Sequence, residues 1–80
     1  AGKAIQLDPS YDDAYSNRGA AYHSLGQYQR AIEDYDKAIQ LDPNDALFHN
    51  NRGITYGNLG QDAKADADKA KACSLDSEYC

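Results

Sequence analysis

Lys3-Ala4-Ile5-Gln6-Leu7-Asp8-Pro9 returns unchanged as Lys37-Ala38-Ile39-Gln40-Leu41-Asp42-Pro43, 34 positions later. Seven identical residues at that distance point to an internal repeat, and the rest of the chain supplies one. When residues 12–45 are set against 46–79, 13 of 34 positions are identical: Asn17, Arg18, Gly19, Tyr22, Leu25, Gly26, Gln27, Ala31, Asp34, Lys37, Ala38, Leu41 and Asp42. Duplication accounts for this economically. A period of such length belongs to arrays in which each unit buries an apolar face against its neighbour.

Inside each unit the spacing reads as two helices. Tyr15, Gly19, Tyr22 and Gly26 follow one another at intervals of four, three and four, which puts them on one side of a helix. Ser16, Asn17, Ala20, His23 and Ser24 line another side. Gly26 suits a helix C-terminus, because glycine enters the left-handed region freely. A second stripe then runs through Tyr28, Ala31, Ile32, Tyr35, Ala38 and Ile39. Pro43 stops this helix, and Asn44 is expected to cap the next one, as Ser10 does after Pro9, with Asp13 completing a pair like a capping box. Gly19 and Gly53 sit mid-helix, where glycine costs about 1 kcal/mol relative to alanine. With Ala31, Ala38, Ala65 and Ala72 they let two helix axes approach closely while tyrosines fill the gaps. No alternating strand pattern occurs, so the chain is expected to be all-α.

Composition narrows the function classes. Eighty residues make one small domain with a thin core, and 41% hydrophobic against 26% charged residues is ordinary for a chain that folds. Thirteen acidic residues against 8 basic ones give a net charge of -5, which repels phosphate backbones and anionic lipids. Neither nucleic acid nor a membrane is therefore an expected partner, and no apolar run approaches the roughly 20 residues of a membrane-spanning helix. His23 and His49 fall at unlike positions without a supporting HxxxH, CxxC or carboxylate pair. No metal, cofactor or catalytic centre is expected from them.

These residues resemble the tetratricopeptide repeat family. With Asp12 as the first position, the family's aromatic fourth, glycine eighth and tyrosine eleventh positions are Tyr15, Gly19 and Tyr22. Tyr28, Ala31, Tyr35, Ala38 and Pro43 match its later aromatic, alanine, aromatic, alanine and proline landmarks. The resemblance implies a right-handed superhelical stack of antiparallel helix pairs, about two and a third repeats long. Residues 1–9 would be the second helix of a preceding unit, 10–45 a full unit and 46–80 another. The last unit keeps His49, Gly53, Tyr56, Ala65 and Ala72, but Asp62, Asp66, Lys69 and Ser77 replace Tyr28, Ile32, Tyr35 and Pro43. A polar final helix is expected to cap an array, with Cys80 at or near a natural C-terminus, while the chain opens within an element of something longer.

The function implied is a non-enzymatic interaction scaffold whose first helices line a concave groove for an extended peptide. The expected groove residues are Asp13, Ser16, Asn17, Ala20 and His23 from one unit and Asn50, Asn51, Ile54 and Asn58 from the next. Asn17 and Asn51 are equivalent, and an amide offers a donor and an acceptor to a peptide backbone. The resemblance implies that they form a ladder like that of some family members, the sugar-transferring superhelices among them. Ser16 and Asn50 occupy a position where members that grip a C-terminal carboxylate carry lysine. Arg18 and Arg52 lie one residue further on, about 100° round the helix and toward the packing interface. A carboxylate clamp is therefore not expected.

Self-assembly is the competing expectation: the helix at the truncated start would dock on a neighbouring chain and produce a homo-oligomer. Cys73 and Cys80, with six residues between them, suit a disulfide in a periplasmic or secreted protein and free thiols in a cytoplasmic one. Cys73 also takes Ile39's packing position, where a plain buried thiol fits.

Overall fold

The computed structural model describes residues 11–80, so the expectations for residues 1–9 and for the Ser10 cap lie outside the described residues. Four helices follow one another: α1 (Asp12–Ser24), α2 (Tyr28–Leu41), α3 (Ala46–Asn58) and α4 (Asp62–Leu75). A 3₁₀ turn, Ser77–Tyr79, comes after them. No strand occurs among the described residues, and none of the helices is long and apolar enough to cross a membrane.

The duplicated Leu-Gly-Gln tripeptides make duplicated turns. At the end of α1, Gly26 donates its N–H to the His23 carbonyl (3.0 Å) and Gln27 donates to the Tyr22 carbonyl (2.8 Å). At the end of α3, Gly60 and Gln61 repeat this with Gly57 (3.1 Å) and Tyr56 (2.9 Å). This is the double closure of a Schellman motif, which requires a left-handed residue after the cap. Gly26 (φ 77°) and Gly60 (φ 76°) provide it. Each turn folds its second helix back along the first, so α1 packs on α2 and α3 on α4, with α2 packed against α3 between them. α1 and α3 touch each other only sparsely, which leaves a furrow on that side.

Small residues mark the contact layer. Ala31, Ala38 and Ala72 are fully buried and Ala65 nearly so, around the larger Phe48, Tyr35 and Ile32. α4 is the polar helix the sequence suggests: it buries only Ala65, Asp68 and Ala72, and Asp62, Asp66 and Lys69 are exposed.

One cap differs from expectation. Asp45, not Asn44, caps α3, its side chain accepting the Leu47 N–H at 3.0 Å. Asn44 instead donates its backbone N–H to Asp42 Oδ1 (3.2 Å) in the bend around Pro43. That bend uses one more residue than the sequence suggests, so the helix starts at Ala46. Beyond α4, Asp76 accepts the Glu78 N–H (3.0 Å) and a bond between the Cys73 and Cys80 sulfurs (1.96 Å) ties the final turn to the helix.

Burial also sets an alkaline limit. The Tyr35 phenol titrates above its ordinary value, first because it is desolvated and then because of the Asp34 charge, the neighbouring Thr55 hydroxyl opposing both. Tyr56 is raised too, again chiefly by desolvation and against the pull of Arg52. A raised folded-state value means the stabilisation is complete below the unfolded tyrosine value near 10 and is lost as pH rises through the folded values. Urea midpoints should therefore hold up to about pH 10 and fall above it. In Tyr35→Phe the fall should be shallower; an identical slope in that variant would rule Tyr35 out as a source.

Candidate partner-binding groove

Two stripes of equivalent residues face the furrow between α1 and α3. On α1 they are Asp13, Asn17, Ala20 and Ser24, all exposed; on α3 they are Leu47, Asn51, Ile54 and Asn58, of which Asn51 is half-buried. Both stripes step by four, three and four, which keeps them on one face of each helix. Between them lies a concavity of about 210 Å³ lined by Ala20, His23, Ser24, Tyr35, Asn51 and Ile54. Of the residues that sequence reading places in a groove, the structure thus brings Ala20, His23, Asn51 and Ile54 to one depression. Asn17 and Asp13 continue the α1 stripe outside it, Asn58 stands at its far end on α3, and Asn50 is half-buried beside Asn51.

Ser16 does not belong to this surface. It is only 5% exposed, because it lies three residues before Gly19 and turns with that glycine toward the packed side of α1. Assignment of helix faces from spacing alone leaves this residue one step off.

His23 is fixed by a chain of hydrogen bonds across the furrow. The Thr55 hydroxyl donates to the Asn51 carbonyl (3.1 Å), so its oxygen accepts from His23 Nδ1 (2.9 Å). The other ring nitrogen, Nε2, is then left to accept from the Asn58 amide (3.2 Å). The Tyr28 ring closes on His23 edge-to-face at 5.1 Å between centroids. His23 is therefore a wall of the concavity, pinned from α2 and α3, and its two nitrogens are already occupied. By contrast, neither the Asn17 nor the Asn51 side-chain amide bonds to anything among the described residues.

His49 has a different fate from His23. It is 7% exposed, at the position that Tyr15 fills in the preceding unit. Its Nε2 donates to the Pro43 carbonyl at 2.9 Å, which leaves Nδ1 bare, 3.9 Å from Asp68 Oδ1 and without a hydrogen-bond partner. It packs the hairpin and does not reach the furrow.

The arginines next to the asparagines are withdrawn from the groove. Arg18 donates Nε–H and Nη2–H to the two oxygens of Asp34, both at 2.8 Å. Arg52 repeats this with Asp68 (2.8 and 2.7 Å) and adds a third bond from Nη1 to Asp36 (2.8 Å). Asp34 and Asp68 are each 5% exposed. Sequence reading sends Arg18 and Arg52 toward the packing interface but does not find their partners. A signal for them exists: Asp34 and Asp68 are among the repeated identities, each 16 residues after its arginine. The hydrogen-bonded carboxylates raise both guanidinium values, Arg52 the further, against the opposing effect of desolvation.

Tetratricopeptide repeat models match residues 12–45 and 34–67. Among solved structures, MamA superposes with a TM-score of 0.90 at 31% identity over 96% of this chain, and a second crystal structure of MamA with 0.87 at 31% over 96%. The first TPR of Spaghetti (RPAP3), solved bound to the HSP90 peptide SRMEEVD, superposes with 0.92 at 24% identity over 95%. The chain spans 45%, 42% and 60% of those three structures respectively.

Proposed function

The chain belongs to the tetratricopeptide repeat family, and from that premise we propose that it is a non-catalytic interaction module holding an extended segment of another protein along the exposed stripes of α1 and α3. The observation that carries this is the repeated pair of unbonded amides. Asn17 and Asn51 occupy the same position in successive units and have no partner among the described residues, while His23, Thr55 and Asn58 beside them already bond across the furrow. An extended backbone presents alternating N–H and C=O groups, and a side-chain amide can answer both.

The withdrawal of Arg18 and Arg52 into ion pairs supports backbone contacts over the grip of a terminal carboxylate, which needs free cations on the groove face. In this respect the groove would differ in chemistry from one suited to an acidic peptide. The two amides of the described residues should contribute modestly, since each such contact is worth about 1 kcal/mol net.

The test uses peptides selected from a displayed random library on the 80-residue chain. Asn17→Ala/Asn51→Ala should weaken a selected peptide by at least about tenfold, with the helical circular dichroism unchanged. Equal affinity in fluorescence polarisation would remove the amide ladder.

A further inference from the structure

The groove is uneven in a way that bears on what its occupant must look like. Its concavity is lined by Ala20 and by Ile54, which is 43% exposed, over the nearly buried Tyr35, together with His23, Ser24 and Asn51. No carboxylate, lysine or arginine lines it. An ionised side chain placed there would lose hydration without gaining a counter-charge, whereas an aliphatic one would bury surface against Ile54 and Ala20.

Two helical turns earlier, the same α3 stripe reaches Leu47, also 43% exposed. Leu47 shares a second concavity, of about 330 Å³, with Leu75, Tyr79 and the carboxylates of Asp42, Asp45 and Asp76. Asp12 and Asp13 stand in the first turn of α1. Among the described residues, none of these five carboxylates pairs with a lysine, arginine or histidine.

The described cations are paired or placed elsewhere. Arg18 and Arg52 are held by Asp34, Asp36 and Asp68. Arg30 and Lys64 lie over the rings of Tyr22 and Tyr56. Lys37, Lys69 and Lys71 sit on the second helices, α2 and α4. The first helices therefore present negative charge at one edge and no free cation, so the potential along the furrow falls toward Leu47.

Resting on the peptide-groove function above, we propose that the occupant is an extended segment with a branched aliphatic side chain in the Ala20–Ile54 concavity and a lysine or arginine in the Leu47 concavity. The aliphatic stem of such a cation packs on Leu47 and Tyr79 while its head meets the carboxylates. The geometry also sets the spacing. Seven residues of helix separate Leu47 from Ile54, a rise of about 10 Å. An extended chain covers that distance in about three residues. The recognised pattern is thus an aliphatic residue with a basic residue about three positions away.

Selection from a displayed library of random twelve-residue peptides on the unmodified chain should enrich that spacing, in peptides of net positive charge. Ile54→Ala should weaken a synthetic representative by about tenfold, and replacing Asp42, Asp45 and Asp76 by asparagine should flatten the salt dependence of its affinity. Asparagine at position 45 retains a capping side chain, so loss of helix α3 does not confuse the result. Enriched peptides that are acidic, or that lack the aliphatic-to-basic spacing, overturn the proposal. If such peptides still depend on Asn17 and Asn51, the groove stands and only its ligand chemistry is wrong. If peptides of any kind bind Asn17→Ala/Asn51→Ala as well as the unmodified chain, or if nothing is enriched, both inferences fall.

Discussion

Arg52→Ala is expected to remove about 3 kcal/mol of folding stability, near the loss seen when one partner of a buried ion pair is deleted. The chain as a whole has about 4–12 kcal/mol of stability if it follows the usual figure per residue, so the variant should be largely unfolded at modest urea. The loss comes mainly from what remains. Asp68 is 5% exposed, and without the guanidinium its carboxylate is buried with only the bare Nδ1 of His49 nearby. The bond to Asp36 matters less, because that side chain is 44% exposed and water replaces the lost partner. Geometrically, however, Arg52 spans three helices, since it leaves α3, pairs with α4 through Asp68 and reaches α2 through Asp36. It joins the two units as well as closing one.

Two comparisons separate an orphaned charge from a lost contact. Arg18→Ala should be milder, because Arg18 is more exposed than Arg52, 34% against 22%, and has one carboxylate partner among the described residues. Arg52→Met/Asp68→Leu should recover most of the stability lost in Arg52→Ala, because it removes both buried charges and keeps the volume. Urea unfolding followed by far-ultraviolet circular dichroism gives all three numbers. A double variant as unstable as the single one would mean that the ion pair is not the source of the loss.

This ion pair also marks where sequence legibility stops. The repeat, the helical spacings and the glycine turns can all be read along the chain, because each rests on a local rule applied twice: a left-handed position after Leu25 and Leu59, small residues at a fixed interval, helix, turn and helix again. Asp34 is visible as a repeated identity, yet nothing local tells a buried aspartate from an exposed one. Its burial depends on an arginine from another helix, and the pair becomes evident only once α1 and α2 lie side by side. His49 escapes in the same way. Its place in the repeat is an aromatic one, and the structure buries it there with one nitrogen against the Pro43 carbonyl.

The groove is partly legible for a similar reason. Residues at the centre of a helix face, such as Ala20, Asn51 and Ile54, share one depression, as a 100° step suggests. Residues at the margin of a face are decided by which neighbour arrives, and Ser16, next to the packed margin, turns inward. The Asn44 and Asp45 cap shows the same thing at a helix end, where both residues are competent and the bend at Pro43 decides between them.

Gly19→Leu should be nearly as damaging as Arg52→Ala, and the glycines of this chain contain their own control. A Cβ built on Gly19 lies 2.9 Å from Tyr35 Cε1 and 3.3 Å from the Ala31 carbonyl oxygen. Tyr35 is 3% exposed, and even where its ring gives way toward the concavity the Ala31 carbonyl is backbone and cannot, so α1 and α2 must separate. Overpacking of this kind costs typically 1–3 kcal/mol, and the leucine branch carries it to about 3 kcal/mol. At Gly53 the built atom meets Asp68 Cβ at 3.0 Å and the Ala65 oxygen at 3.2 Å, with only Lys69 free to yield. Gly53→Leu should therefore cost about as much and disturb the Arg52–Asp68 pair as well.

Gly57 lies one turn after Gly53 in the same helix, has no left-handed backbone, and has nothing within 4 Å of a built Cβ. There an alanine gains helix propensity without meeting anything, so Gly57→Ala should stabilise the protein by up to about 1 kcal/mol. If alanine at 19, 53 and 57 shifted the urea midpoint in one direction by similar amounts, close approach of the helices would not be the reason glycine stands at 19 and 53. Opposite signs, with loss at the two packed positions and gain at the open one, are the expected result.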